Sequence, residues 1–242
     1  MLHLRKSRFR PLYKQFISLN ENIQNRDKIL QFKKQKWSKL VSLIKHKDKR
    51  YKKFKPLNQT GYIVSRYPNK WSSYKKGYYR TIMMAYKKFK LFYGNLGEKK
   101  VKNFIKQSFS NMTTKCNLYL IFIKLLETRL DNILLRAKFC ESVRASRQLI
   151  AHRKVLVNNK VAQSQSIILQ PGDLITFVSD AIPFIERSIA NSMIWPIPPK
   201  HLVINYRTLQ IIVLKIENSN LASSFNYNFN LEKLLIDFYN IK

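Results

Sequence analysis

Between Leu126 and Phe177 the spacing of apolar residues switches from helical to strand-like, and only a mixed unit of helices and sheet can satisfy that. Leu126, Leu130, Ile133, Leu134 and Ala137 fall on one helical stripe. Ser142 is placed to cap a second short helix, running through His152, that buries Leu149 and Ile150. Val155-Leu156-Val157 and Lys160-Val161 then flank Asn158-Asn159, a pair that tolerates positive φ, which predicts a tight β-hairpin. Ile167-Ile168-Leu169, a Pro171-Gly172-Asp173 turn and Leu174 to Phe177 supply further strand. The segment reads as a compact α-α-β module.

What precedes it reads as helix. An irregularly amphipathic helix is expected from Ile23 to Lys55, broken at Pro56 to Gly61. From Tyr79 to Tyr93, Ile82, Met83, Tyr86, Phe89 and Tyr93 keep a spacing of three to four, with Lys87, Lys88 and Lys90 on the other face. Gly94 and Gly97 close that helix, and Leu96, Val101, Phe104 and Ile105 begin another that ends near Ser110-Asn111. After Asp180 an extended spacer contains Trp195-Pro196-Ile197-Pro198-Pro199. Periodicity does not decide between strand and helix for Ile211 to Ile216, and Phe229 to Tyr239 reads as a last amphipathic helix. The expected class is α+β. The expected organisation is a basic extension over 1–69, a helical domain over 70–125, the module over 126–180 and a C-terminal segment over 181–242 that packs back on the helical domain.

Charge narrows the function. The chain carries 46 Lys+Arg against 13 Asp+Glu, a net +33. Residues 1–110 hold 30 of those cations and 4 of the acids, a balance of +26. Self-repulsion on this scale is relieved by a polyanion, and cations interleaved with aromatics, as in Lys45 to Lys55, suit phosphate contact with base stacking. Lys75, Lys76, Lys87, Lys88, Arg5, Arg8 and Arg10 are expected in that footprint. No apolar run approaches the roughly 18 residues a membrane span needs, so no membrane is expected. Cys116 and Cys140 read as packing residues, the four histidines show no metal-ligand spacing, and neither metal nor cofactor is assigned. No phosphate-cradling or nucleophile-elbow motif occurs, and five glycines leave little material for one. An enzyme is not expected.

The strings Glu127-Thr128-Arg129-Leu130-Asp131-Asn132, Ala145-Ser146-Arg147-Gln148-Leu149-Ile150-Ala151-His152 and Val157-Asn158-Asn159 stand in order and in register. Together they resemble the small-subunit ribosomal protein four family. Tyr93-Gly94-Asn95-Leu96 ahead of the module, and Asn205-Tyr206-Arg207-Thr208-Leu209 with Leu234 to Tyr239 behind it, are similar to the flanks of organellar members. The resemblance covers roughly residues 70–242. Two features depart from the family pattern: no Cys precedes position 116, where many bacterial relatives place cysteines, and Asn159 stands where glycine is usual.

The resemblance implies a structural, rRNA-binding constituent of the small subunit, with the paired helices facing RNA and the hairpin propping them. Carried over by position, Arg129, Arg147, Gln148, His152, Arg153 and Lys154 contact phosphate or sugar, Asn158 shapes the turn and touches RNA, and Arg136 and Arg144 rank below them. Asp131 reads as a local helix partner. The resemblance also implies docking at a multi-helix junction during assembly, beside small-subunit protein five and messenger RNA where it enters. Lys, Asn, Ile, Phe and Tyr make up 105 of 242 residues, the signature of an A/T-rich genome. The first twenty residues are basic and free of acid, like a mitochondrial leader, and begin at Met1. The expectation is a protein of the mitochondrial matrix, made inside the organelle, with the plastid second. Arg129-Leu130-Asp131 also echoes RNA pseudouridine synthases, but Asn132-Ile133 follows and no catalytic domain fits. The alternatives are an RNA-modifying or tRNA-handling enzyme with the same module, or a free ribosome-associated factor.

Overall fold

The computed structural model describes residues 12–19, 23, 27–50, 75–111, 118–191, 198–216 and 235. Arg5, Arg8 and Arg10, Cys116 and all of the Phe229 to Tyr239 helix except Leu235 lie outside them. Leu235 itself is helical and buried.

The chain divides into two compact units, Met1–Lys55 and Pro56–Lys242. In the first, α1 spans Leu12–Leu19 and α2 spans Gln35–Arg50, with a 3₁₀ turn at Asp27–Gln31 between them. The continuous helix expected from Ile23 is therefore interrupted. The interruption lets the Phe32 ring meet Trp37 at 4.8 Å. Residues five apart point to different sides of an unbroken helix and would not touch.

In the second unit α3 (Lys75–Phe92), α4 (Glu98–Ser110) and α5 (Leu118–Glu127) precede α6 (Leu130–Arg136) and α7 (Val143–Ala151). Strands β1 (Val155–Val157), β2 (Lys160–Val161) and β3 (Leu174–Phe177) follow, then α8 (Ile182–Ala190), β4 (Leu202–Asn205) and β5 (Gln210–Val213). The strands form one antiparallel sheet in the order β2-β1-β3-β5-β4. The protein is α+β, as expected. Ser142 caps α7 by accepting a hydrogen bond from the Ala145 N–H, and Asn158 and Asn159 take φ values of 50° and 63° in the hairpin.

The sheet crosses the boundary drawn at residue 180, because β4 and β5 complete it through the pairing of Ile211 with Ile175. Residues 211–213 are thus strand. Ile167 to Leu169, expected as strand, makes only a single bridge, Ile168 opposite Arg129, since the chain beyond it turns at Gly172 to enter β3. Helix α8 stands where only spacer was foreseen; Pro183 starts it from a position in the first turn where its missing N–H costs nothing.

One face of the sheet carries Val155, Ile175, Ile211, Val213 and Leu202 into a core shared with Leu130, Ile133 and Leu134 of α6 and Leu149 and Ile150 of α7. The opposite face is mixed, with an apolar patch beside Thr176, Gln210 and Asn205. Val203 lies across from Ile212, and Ile212 across from Leu174, and Val203 and Ile212 are exposed.

Candidate nucleic-acid interface

Two buried ion clusters fix where α6 and α7 stand. Asp131, fully buried, accepts from Arg129 Nε at 3.0 Å and Nη2 at 2.9 Å, and from Arg147 Nε at 2.9 Å. The Arg129 guanidinium lies 5.6 Å from the Phe104 ring of α4. Arg147 reaches on to the turn after α3, donating to the Gly94 carbonyl at 2.6 Å and the Tyr93 carbonyl at 3.3 Å. Gly94 is required there, with φ of +72° and only 2.5 Å between an added Cβ and Val143 Cγ1. The Ser146 hydroxyl is shared between the Val143 carbonyl at 2.8 Å and the Asp131 carbonyl at 3.0 Å, and the second contact ties α7 to α6.

The second cluster joins Glu127, Arg136 and Tyr93. Arg136 donates to Glu127 at 3.0 and 3.1 Å and lies 4.8 Å from the Phe92 ring, while the Tyr93 hydroxyl donates to Glu127 at 2.8 Å. Burial pushes the Glu127 carboxyl up, but the Arg136 charge, the hydrogen bonds from Arg136 and Tyr93 and nearby His201 outweigh it and hold the pKa below 4.5. Burial and then the Glu127 charge raise the Tyr93 phenol well above 10.0. Burial lowers His201 below 6.5.

These facts correct three expectations. Arg129, 1% exposed, and Arg136, 8% exposed, are internal ties and offer no surface to a phosphate. Arg147 is partly exposed, but its guanidinium is committed to Asp131 and two carbonyls. The cause is burial: a carboxylate held out of water demands a paired cation, and the nearest arginines supply it. Asn158 shapes the hairpin turn, as expected: it is exposed, donates to Asp173 and accepts from the Leu174 N–H, both at 2.9 Å. Asp131, expected as a local helix partner, pairs instead with Arg129 just ahead of α6 and with Arg147 of α7.

One side of α7 turns outward. Arg144, Gln148 and His152 are exposed at successive intervals of four, one row along the helix, and α7 contains no acid. The helix ends in a left-handed turn: the Arg153 N–H donates to the Ile150 carbonyl at 2.9 Å and the Lys154 N–H to the Leu149 carbonyl at 3.1 Å. Arg153 occupies the left-handed position at φ of 57°, where glycine is preferred and any other L-residue costs about 1 kcal/mol. Arg153 is exposed and Lys154 is half-buried. Of the expected helical cations, Lys87 is exposed, Lys88 is half-buried, and Lys75 and Lys76 begin α3.

This surface supplies hydrogen-bond donors and positive charge. Among the described residues no group of His, Cys, Asp or Glu could hold a metal ion, and no helix is long and apolar enough to cross a membrane. Cys140 is buried, with its thiol pushed up to about 12, as suits a packing residue. The sequence reading did not single out Glu127 and Tyr93 as partners, although acids flanking Arg129 in a chain this short of acid are the signal for them.

Residues 128–175 match the model of the S4 domain, which therefore starts at the two buried clusters and ends in β3. A relative named small ribosomal subunit protein uS4m, from Marchantia polymorpha, is 31% identical over 157 residues, covering 63% of this chain and 77% of that one. The chain belongs to the uS4 family. Another member, the uS4m of Reclinomonas americana, is 29% identical over 222 residues, covering 84% of this chain and 86% of its own. The uS4c of Oryza sativa is 28% identical over 183 residues, covering 72% and 89%. Family membership bears out the resemblance carried by the three strings.

Proposed function

We propose that this chain is a structural constituent of the mitochondrial small ribosomal subunit and that α7 with its left-handed terminus holds small-subunit rRNA. The observation that carries the reading is Arg153. Arg153 holds an exposed left-handed position at a helix end where its side chain is open to a partner, and a guanidinium suits phosphate because its planar fork donates two parallel hydrogen bonds. Arg144, Gln148, His152 and Lys154 complete the contact, while Arg129, Arg136 and Arg147 hold it in shape.

Recognition is by shape and phosphate, without base-by-base readout, so several RNA helices are kept in one arrangement during assembly and no bond is made or broken. The family likeness supports a place at a multi-helix junction, near messenger RNA where it enters and beside small-subunit protein five. The exposed apolar ladder of Val203 and Ile212 supports a protein neighbour on that side, since a phosphate backbone gains nothing from it. The uS4m relatives and the A/T-rich composition support a matrix protein encoded in the organelle. Sedimentation of tagged protein at moderate salt tests the reading. Comigration with small subunits is expected, and recovery only in light fractions overturns it.

A further inference from the structure

Between Val161 and Pro199 the chain loses its positive charge. That stretch holds Asp173, Asp180, Glu186 and a single cation, Arg187, a balance of −2, while the other 203 residues carry +35. Helix α8 lies within it. Ala181, just ahead of the helix, and Ile185 are buried in the core on the inner face of the sheet, which fixes the rotation of α8 and turns Ile182, Phe184, Glu186 and Arg187 to solvent. Ile182 is 36% exposed and Phe184 45%. Acids flank this apolar pair. Asp180 stands ahead of the first turn, Glu186 lies four residues past Ile182 on the same row, and Glu141 meets the far end, where Asn191 Nδ2 donates to its Oε1 at 3.4 Å. Neither Asp180 nor Glu186 has an ion-pair partner among the described residues. The surface is separate from the outer face of the sheet that exposes Val203 and Ile212, because α8 packs on the inner one.

We propose that the outward face of α8 seats a neighbouring protein of the small subunit, through a lysine- and arginine-rich segment that lays an apolar side chain on Ile182 and Phe184. The proposal rests on the reading of this chain as a subunit constituent. Charge selects the occupant. The phosphates of RNA or of a lipid surface are repelled by Asp180, Glu186 and Glu141. A cationic protein segment instead meets opposite charge at the rim and an aromatic ring at the centre, the arrangement that protein interfaces use. Proteins that share an RNA scaffold carry an excess of Lys and Arg, as this chain does, so a partner of that chemistry is at hand wherever two of them adjoin. Arg187 lies three residues past Phe184 on the adjoining row, which directs the partner's cations toward the acids and away from that end of the ring. The basic faces of this chain thus serve RNA, and the acid-bearing face of α8 serves a basic protein.

The test places a photo-crosslinking amino acid at position 184 of the full chain in assembled small subunits, with position 148 as the reference for rRNA contact. The expected product is one discrete protein adduct whose crosslinked peptide is rich in Lys and Arg. D180K/E186K in the same chain should lower its yield roughly tenfold while leaving the position 148 adduct unchanged. Both substituted residues are exposed, so the core beneath α8 is untouched. Several results overturn the proposal: adducts from position 184 to rRNA, to this chain itself or to a second copy of it, a crosslinked peptide without that charge, a yield indifferent to D180K/E186K, or no adduct. Each leaves the α7 reading intact while position 148 still crosslinks to rRNA. Failure of the chain to enter small subunits overturns both.

Discussion

Asp131→Asn separates an arginine that holds the fold from one that holds RNA. The substitution keeps the shape of the side chain and removes its charge. Arg129, 1% exposed, then loses its carboxylate, and its Nη1 already lacks a hydrogen-bond partner among the described residues. Breaking a buried pair costs about 3–5 kcal/mol, because the surviving charge stays out of water. Arg147 softens the loss, since it is 22% exposed and keeps its two carbonyl partners, so about 3 kcal/mol is expected. For a chain of 242 residues each kcal/mol moves the melting temperature by roughly 2–4 °C, which gives a fall of about 6–12 °C. Circular dichroism melts without RNA measure it directly. If Arg129 and Arg147 instead served phosphates, the melt would move by less than about 2 °C while affinity for the rRNA fragment changed, and the account of the cluster would be refuted.

Arg153→Gly should raise stability by up to about 1 kcal/mol, because glycine suits the left-handed position, yet weaken binding to the rRNA fragment and flatten its salt slope by about 0.7–0.9; paired melts and titrations check both signs. Gly94→Ala forces a left-handed alanine against Val143 and Arg147 and should cost about 2–4 kcal/mol in a denaturant titration. Glu127 has a folded pKa below its ordinary 4.5, so its contribution is fully present above that value and is lost as pH falls through the folded pKa. The difference in melting temperature between the unaltered chain and Glu127→Gln should therefore hold steady from neutral pH to 4.5 and shrink below it.

Local chemistry made most of the module legible. The Ser142 cap, the Asn158-Asn159 turn and the apolar stripes of α6 and α7 each act over a few residues and appear in the structure where the sequence puts them. Partnerships across long separations were not legible. Arg147 and Gly94 lie 53 residues apart, and Arg136 and Tyr93 share one carboxylate, so the string Glu127 to Asn132 looked like an RNA-facing surface when its charged residues are internal. The two residue types that suit phosphate contact, Arg and Lys, are also those that neutralise a buried acid, and spacing alone does not separate the two uses. Strands β4 and β5 escaped for a related reason: β5 pairs with β3, and β4 with β5, in a sheet whose other strands lie far back in the sequence.

The central claim is that the outward row of α7 lies against rRNA. A photo-crosslinking amino acid at position 148, in subunits assembled with the full chain and irradiated intact, tests it most directly. The account predicts adducts to small-subunit rRNA from Gln148 and none from Val203 on the outer face of the sheet. Protein adducts alone from position 148, with RNA adducts from position 203, would contradict it.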